Sequence, residues 1–61
     1  MTKQDADRMI GKSVRITDVY GKISVVTLRG RNQRAVIGDL NGVDGQQALV
    51  DLRDIKTWEL V

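Results

Sequence analysis

The sequence predicts a mostly β domain preceded by one short helix, and two patterns support this fold class. After Gly11 the apolar residues recur at alternate positions, as they do in half-buried strands. Turn signals rich in glycine and asparagine interrupt the chain about every ten residues, a spacing typical of short strands in small β domains. At 61 residues the chain has room for a single domain. We therefore expect one domain over residues 1–61, with a helix in 1–10 and a β-barrel in 12–61.

The N-terminal helix is predicted from its two ends and from its apolar face. Thr2 is a favourable N-cap residue, because its hydroxyl can accept a hydrogen bond from a backbone N–H of the first turn. Three apolar residues then follow at the i, i+3, i+4 spacing of one helix face: Ala6, Met9 and Ile10. Gly11 can adopt the left-handed conformation that ends many helices. These features predict a two-turn helix over residues 3–10.

Five strands and one helical turn are predicted in the rest of the chain. The strands lie at 14–17, 23–28, 35–40, 48–52 and 57–61, and a tight helical turn lies at 52–55. The clearest turn signal is the segment Asn41, Gly42, Val43, Asp44 and Gly45. In the second strand the apolar alternation slips between Val25 and Val26. Such a slip indicates either burial on both faces or a β-bulge.

Two segments carry a resemblance to a known group of folds. Residues 11–16 resemble an opening barrel strand, and residues 48–56 resemble a strand that runs into one helical turn before the last strand. This order is similar to that of the SH3-like barrels, which include the KOW, Tudor and Sm groups, and the short N-terminal helix resembles the Sm group most. The resemblance implies a small five-stranded barrel that closes to hide its edge strands. An open β-meander with a helix is the alternative.

The core is expected to be aliphatic, because Tyr20 and Trp58 are the only aromatic residues. We expect Trp58 to close the barrel, whereas Tyr20 at a turn either packs or contacts a partner. The predicted core residues are Val14, Ile16, Val25, Ile37, Val50 and Ile55.

Composition argues against an enzyme. The chain contains no cysteine and no histidine, so the usual zinc ligands and the commonest general base are absent. Ser13 and Ser24 lie in predicted strands without a base at a motif spacing. Residues 39–45 superficially match a calcium loop, but the glycine falls one place late and the twelfth position is Val50, so a hairpin turn fits better. Asp51 and Asp54 are interpreted as solvated charges. We expect a binding module that is not an enzyme and has no cofactor or metal.

The same composition predicts a cytoplasmic protein. No apolar run approaches the roughly 18 residues that a membrane span requires. The first ten residues are polar and do not resemble a signal peptide.

Charge is unevenly distributed along the chain. Residues 8–34 contain seven basic residues and one acid, whereas residues 35–61 contain two basic residues and five acids. The connection after the second predicted strand holds three arginines and two amides: Arg29, Arg31, Asn32, Gln33 and Arg34. Guanidinium groups can bind phosphate oxygens in pairs of hydrogen bonds, and amide side chains can read base edges.

This basic connection is the candidate nucleic-acid-binding site, with Arg15 and Lys22 at its flanks. The resemblance to Sm and KOW barrels favours RNA over DNA. In the alternative interpretation the arginines are solvated or paired with the acids of the second half. A different function is also open, because opposite charges on the two halves suit a protein-interaction module or a homo-oligomer that assembles head to tail into a ring.

Overall fold

The computed structural model describes residues 1–43 and 45–61 and contains one helix, five strands and one 3₁₀ turn. The helix α1 spans Lys3–Arg8 and is followed by β1 (Ser13–Asp18), β2 (Ile23–Arg31), β3 (Ala35–Leu40) and β4 (Gln47–Asp51). The 3₁₀ turn η1 (Leu52–Asp54) then leads into β5 (Ile55–Leu60). The mostly β fold class with a short N-terminal helix is therefore confirmed. The predicted turn at 41–45 includes Asp44, which lies outside the described residues.

The helix begins as predicted and ends two residues earlier. Thr2 and Asp5 form a reciprocal capping box, in which each side chain accepts a hydrogen bond from the other residue's backbone N–H. The backbone leaves the helical conformation at Met9, and Gly11 reaches φ +85°. The Gly11 N–H then donates to the Leu28 carbonyl at 2.7 Å, which connects the end of the helix to β2.

All four strand pairings are antiparallel, in the order β4-β3-β2-β1-β5. The last strand therefore lies beside the first. The chain reaches that position through η1, whose Asp54 carbonyl accepts a hydrogen bond from Val19 in the β1–β2 turn at 2.8 Å. This bond holds η1 against the β1–β2 turn.

The predicted closure into a barrel is wrong: in the described residues the sheet stays open, with β4 at one edge and β5 at the other. The three residues of η1 connect the two edge strands but do not turn β5 back onto β4. Instead β5 crosses to β1, where Arg15 lies opposite Glu59 and Ile16 opposite Trp58. Both edges of the sheet are consequently available for hydrogen bonding.

The buried core lies on one face of the sheet and is covered at one end by α1. It consists of Ala6, Val14, Ile16, Val26, Leu28, Val36, Leu52 and Ile55, with Trp58 and Val50 partly buried against it. Within this set Val14, Ile16 and Ile55 confirm the prediction, and Val50 packs at the margin.

Val25 and Ile37 were predicted as core residues, and this was wrong because both lie on the opposite face. The register places Val25 opposite the exposed Arg15 and Ile37 opposite the exposed Leu49. The inward positions of β2 and β3 belong instead to their neighbours Val26 and Val36, which are fully buried. The β2 strand does contain an irregularity of register, but it lies between Leu28 and Gly30. This bulge at Arg29 extends β2 three residues beyond its predicted end.

No helix in the described part of the chain is long and apolar enough to cross a membrane.

Candidate functional site

Asn32 organises the predicted basic connection from within. Its Oδ1 accepts hydrogen bonds from the backbone N–H groups of Arg34 and Ala35, both at 2.8 Å, and its own N–H donates to the Ala35 carbonyl at 2.9 Å. An asparagine side chain that bonds the backbone two residues ahead is a common device for tightening a turn. The side-chain carbonyl of Asn32 is thus occupied by the β2–β3 turn.

Three of the predicted site arginines form ion pairs with carboxylates. We refer to Arg15, Arg29 and Arg31 as the paired arginines. Their nearest contacts are Arg15 to Glu59 at 2.6 Å, Arg29 to Asp39 at 2.6 Å and Arg31 to Asp7 at 2.7 Å. Each pair joins two different secondary-structure elements. A phosphate that binds one of these arginines has to compete with a carboxylate already in place.

The Arg31–Asp7 pair has the strongest geometry of the three. Nε and Nη2 of Arg31 donate to the two carboxylate oxygens of Asp7, at 2.7 and 3.0 Å, in the bidentate arrangement that charge-assisted pairs favour. These hydrogen bonds lower the pKa of Asp7 and raise the pKa of Arg31. The pair also fastens α1 to the end of β2.

Two other predicted residues, Gln33 and Arg34, lie beside residues that were not predicted as binding residues. Together with Met1, Lys3, Asp51, Leu52 and Arg53 they line a cleft of about 450 Å³, which we call the basic cleft. Lys3 Nζ donates to Gln33 Oε1 at 2.7 Å, so the hydrogen-bond partner of this side chain is a neutral amide and not a carboxylate. Arg34 forms no ion pair within the described residues. Three cations from α1, the β2–β3 turn and η1 therefore converge on one surface.

Asp51 carries the one carboxylate among the described residues that line the basic cleft. Its Oδ1 accepts a hydrogen bond from the Arg53 backbone N–H at 2.9 Å, which caps η1. This bond is the main reason that the pKa of Asp51 is lowered, and the Arg53 and Arg34 guanidinium groups lower it further. The ion pair between Arg53 Nε and Asp51 is long, at 3.6 Å, and the Arg53 side chain is 85% exposed. The cleft therefore keeps a formal charge of +2 from three cations and one carboxylate.

Sequence reasoning missed Lys3 and Arg53 as site residues. Lys3 lies in the predicted helix, and Arg53 lies in the acidic half of the chain, 50 positions later. No local pattern connects them, since they meet only because η1 and the β2–β3 turn lie at the same end of the sheet. Among the residues that line the basic cleft, the sequence predicted only Gln33 and Arg34 as binding residues.

Lys22 lies apart from the basic cleft, at the β1–β2 turn. The Asp18 carboxylate organises this turn by accepting hydrogen bonds from the backbone N–H groups of Tyr20 and Lys22, both at 2.9 Å. Lys22 lines a separate pocket with Asp18 and Asp54. Tyr20 is 84% exposed at the tip of the turn. This exposure is compatible with contact with a partner, the second of its two predicted roles, and not with packing in the core.

The two serines that were considered for catalysis lie in the paired strands β1 and β2. The Ser13 hydroxyl shares a hydrogen bond with Thr27 across β1 and β2 at 3.0 Å. Ser24 lies opposite Ile16 on the inward face. Among residues 1–43 and 45–61, no three His, Cys, Asp or Glu side chains cluster as metal ligands would.

Neither protein-family models nor curated proteins give a match to this chain. Its candidate site is thus defined by geometry: a basic cleft of Lys3, Arg34 and Arg53, separate from the paired arginines.

Proposed function

We propose that this protein binds nucleic acid, with RNA as the favoured ligand, by holding phosphate groups in the basic cleft. The observation that carries the proposal is the convergence of Lys3, Arg34 and Arg53 around a single carboxylate. Cations in excess of the neighbouring carboxylates are the groups that neutralise phosphates and displace counterions. The activity is binding without a catalytic step.

The chemistry of the cleft fits a phosphate backbone better than a base. Arginine guanidinium groups make paired hydrogen bonds to phosphate oxygens, and a lysine ammonium acts as a point charge beside them. Only Gln33 offers an amide at the cleft, and it is bonded to Lys3. The aromatic rings that stack on single-stranded bases are not among the lining residues. We therefore expect electrostatic binding with little dependence on sequence.

The strand order supports the finer proposal of an SH3-like or Sm-like relationship. The last strand lies beside the first, and a short helical turn precedes it. The helical turn before the last strand is one of the features that carry the resemblance, although the sheet here is open. The preference for RNA rests on this relationship, whereas the basic cleft itself fits RNA and DNA phosphates equally.

Fluorescence anisotropy with labelled oligonucleotides tests the proposal. A single-stranded RNA, the same sequence as single-stranded DNA, and a duplex of about 20 base pairs are titrated at about 50 mM salt, where electrostatic attraction is strong. We expect binding in roughly the micromolar range. Combining Lys3→Gln, Arg34→Gln and Arg53→Gln should abolish most of it without unfolding the protein, because all three side chains are exposed. Absence of binding by the unmodified protein to all three ligands would refute the function.

A further inference from the structure

The strand β4 presents a row of unpaired backbone groups at one edge of the sheet. Two hydrogen bonds bracket its pairing with β3, from Leu40 N–H to the Gln46 carbonyl and from Leu52 N–H to the Arg34 carbonyl. In an antiparallel ladder the bonded positions alternate. Ala48 and Val50 therefore direct their N–H and C=O groups to β3, whereas the backbone groups of Gln47, Leu49 and Asp51 point away from it.

Two pockets flank this edge, one on each face of the sheet. The outer pocket, of about 570 Å³, lies on the face that Ala35, Leu49 and Asp51 share; its other lining residues are Asn32, Gln33, Arg34 and Asp54. The inner pocket, of about 180 Å³, lies on the inward face with Ile16, Ser24 and Val50; its other lining residues are Asp18, Lys22, Leu49, Asp51 and Asp54. The strip between them consists of the three residues common to both pockets: Leu49, Asp51 and Asp54.

This arrangement matches the side-chain geometry of an added strand. Successive side chains of a β-strand point to opposite faces of the sheet. An extended segment bonded to β4 would accordingly send alternate side chains into the inner and outer pockets. In strand addition, main-chain hydrogen bonds provide affinity and such side pockets provide selectivity.

The two pockets differ in chemistry. The inner pocket is lined by two acidic side chains, Asp18 and Asp54, against the single ammonium of Lys22, since the Asp51 side chain points to the outer face. In the described part of the chain the Asp54 carboxylate has no hydrogen-bond or ion-pair partner. The volume of the inner pocket equals that of about six water molecules at roughly 30 Å³ each, so it suits one side chain. Its excess of negative charge selects a cationic side chain.

The outer pocket offers an apolar surface instead. Leu49 is 68% exposed there, beside Ala35. A leucine with this exposure on an edge strand has apolar area to bury against a partner.

We propose that β4 accepts an extended segment of another protein as a sixth strand, in which lysine or arginine residues alternate with apolar residues. The cationic side chains enter the inner pocket, and the apolar side chains pack on Leu49 in the outer pocket. These two pockets belong to the β4 side of the sheet, since no residue of β5 lines either of them. This inference does not rest on nucleic-acid binding, but the outer pocket shares Gln33, Arg34 and Asp51 with the basic cleft.

An NMR titration with a designed peptide tests the inference. The probe is acetyl-Thr-Val-Lys-Val-Lys-Val-Thr-amide, and its control, acetyl-Thr-Val-Val-Lys-Lys-Val-Thr-amide, has the same composition without the alternation. We expect the alternating peptide to shift the amide resonances of Gln47, Leu49 and Asp51 most, and to slow hydrogen exchange at Leu49 by roughly tenfold when bound. The control peptide should bind at least about fivefold more weakly, because placing either lysine in the inner pocket puts the adjacent lysine on the outer face beside Leu49.

A matched pair of variants locates the binding edge. Leu49→Thr removes the apolar contact on β4 and should weaken peptide binding by roughly fivefold. Leu60→Thr makes the same change on β5, where Leu60 is 56% exposed, and should leave binding unchanged. Both sites are exposed, so both variants should fold, which an NMR spectrum of each verifies.

Four results would overturn the inference. One is no binding of the alternating peptide at about 1 mM, the weak limit of measurable affinity. The others are equal binding of the control peptide, shifts centred on β5, and self-association through β4 in sedimentation, which would make a second copy the occupant of the edge.

Discussion

The paired arginines and the cations of the basic cleft differ in the number of carboxylates that lie beside them. Arg15, Arg29 and Arg31 each lie within 2.7 Å of a carboxylate on another element. Lys3, Arg34 and Arg53 instead surround a single carboxylate, Asp51, at the end of the sheet where α1, the β2–β3 turn and η1 meet.

The difference shows that the position of a charge in the fold decides whether it is available. The acids that pair with Arg15, Arg29 and Arg31 lie 44, 10 and 24 positions away in the sequence. Two of the three arginines in the run at 29–34 are therefore paired with acids that no local pattern reveals. In the basic cleft, by contrast, Lys3 and Arg34 form no ion pair within the described residues, and Arg53 has only a long contact to Asp51 at 3.6 Å.

Both regions depend on the same scaffold, the close approach of β2 and β3, and a substitution there should destabilise the protein most. A Cβ at Gly38 would overlap the Thr27 carbonyl oxygen and lie 2.6 Å from Val26 Cγ1. Gly38→Ala should cost about 3 kcal/mol, at the upper end of the overpacking range. The total stability of a 61-residue chain is only about 3–9 kcal/mol, so the variant should be partly unfolded.

Gly30→Ala is the control for this prediction, since a Cβ at Gly30 meets nothing within 4 Å and Gly30 lies in the same strand pair. Its free energy of unfolding in urea should stay within about 0.5 kcal/mol of the parent. A Gly38→Ala variant as stable as Gly30→Ala would show that β2 and β3 are farther apart than described.

A smaller effect is expected from releasing a paired arginine. Asp7→Asn removes the carboxylate that holds Arg31, so the guanidinium becomes available to phosphate. The affinity for RNA at low salt should rise about three-fold. Asp5→Asn on the same helix adds the same charge without releasing a guanidinium, and it should raise affinity less. Equal increases in anisotropy titrations would mean that net charge alone matters and that pairing is irrelevant.

The smallest expected effect is a dependence of stability on acid pH. Arg31 lowers the pKa of Asp7 in the folded chain, so the pair stabilises the fold above the unfolded pKa of about 4. This contribution disappears as the pH falls through the folded pKa. Melting temperatures measured from pH 6 to about pH 2 should therefore fall less steeply for Asp7→Asn and for Arg31→Gln than for the parent. Identical slopes in all three proteins would contradict the role of this pair.

Much of the fold followed from periodicity and turn chemistry. The third strand has the bounds that alternation predicted, Ala35–Leu40. Asn41 and Gly42 both have positive φ, as the turn signal required. The face of the sheet on which Val25 and Ile37 lie was not predictable in the same way. In a run of consecutive apolar residues, alternation does not say which side chains point inward. Barrel closure failed for a different reason, since strand count does not reveal whether the two edges of a sheet meet.

The candidate site was predictable only in part. Gln33 and Arg34 were found because turns between strands are exposed and the arginine run marked the segment. The turn-forming role of Asn32 is a common property of its side chain, but the sequence equally allowed it to contact a ligand. Lys3 and Arg53 required the topology, which brings the two ends of the chain's sequence to the same surface.

The salt dependence of RNA binding distinguishes the basic cleft from the paired arginines when it is measured for two triple variants that lower the net charge equally. One combines Lys3→Gln, Arg34→Gln and Arg53→Gln in the basic cleft, and the other combines Arg15→Gln, Arg29→Gln and Arg31→Gln. We expect the cleft variant to flatten the slope of log affinity against log salt by about 2 to 3, at roughly 0.7–0.9 for each phosphate that the variant no longer neutralises. The variant of the paired arginines should change the slope by less than about 1. Equal slopes for the two variants, or a larger decrease when the paired arginines are replaced, would contradict the assignment of binding to the basic cleft.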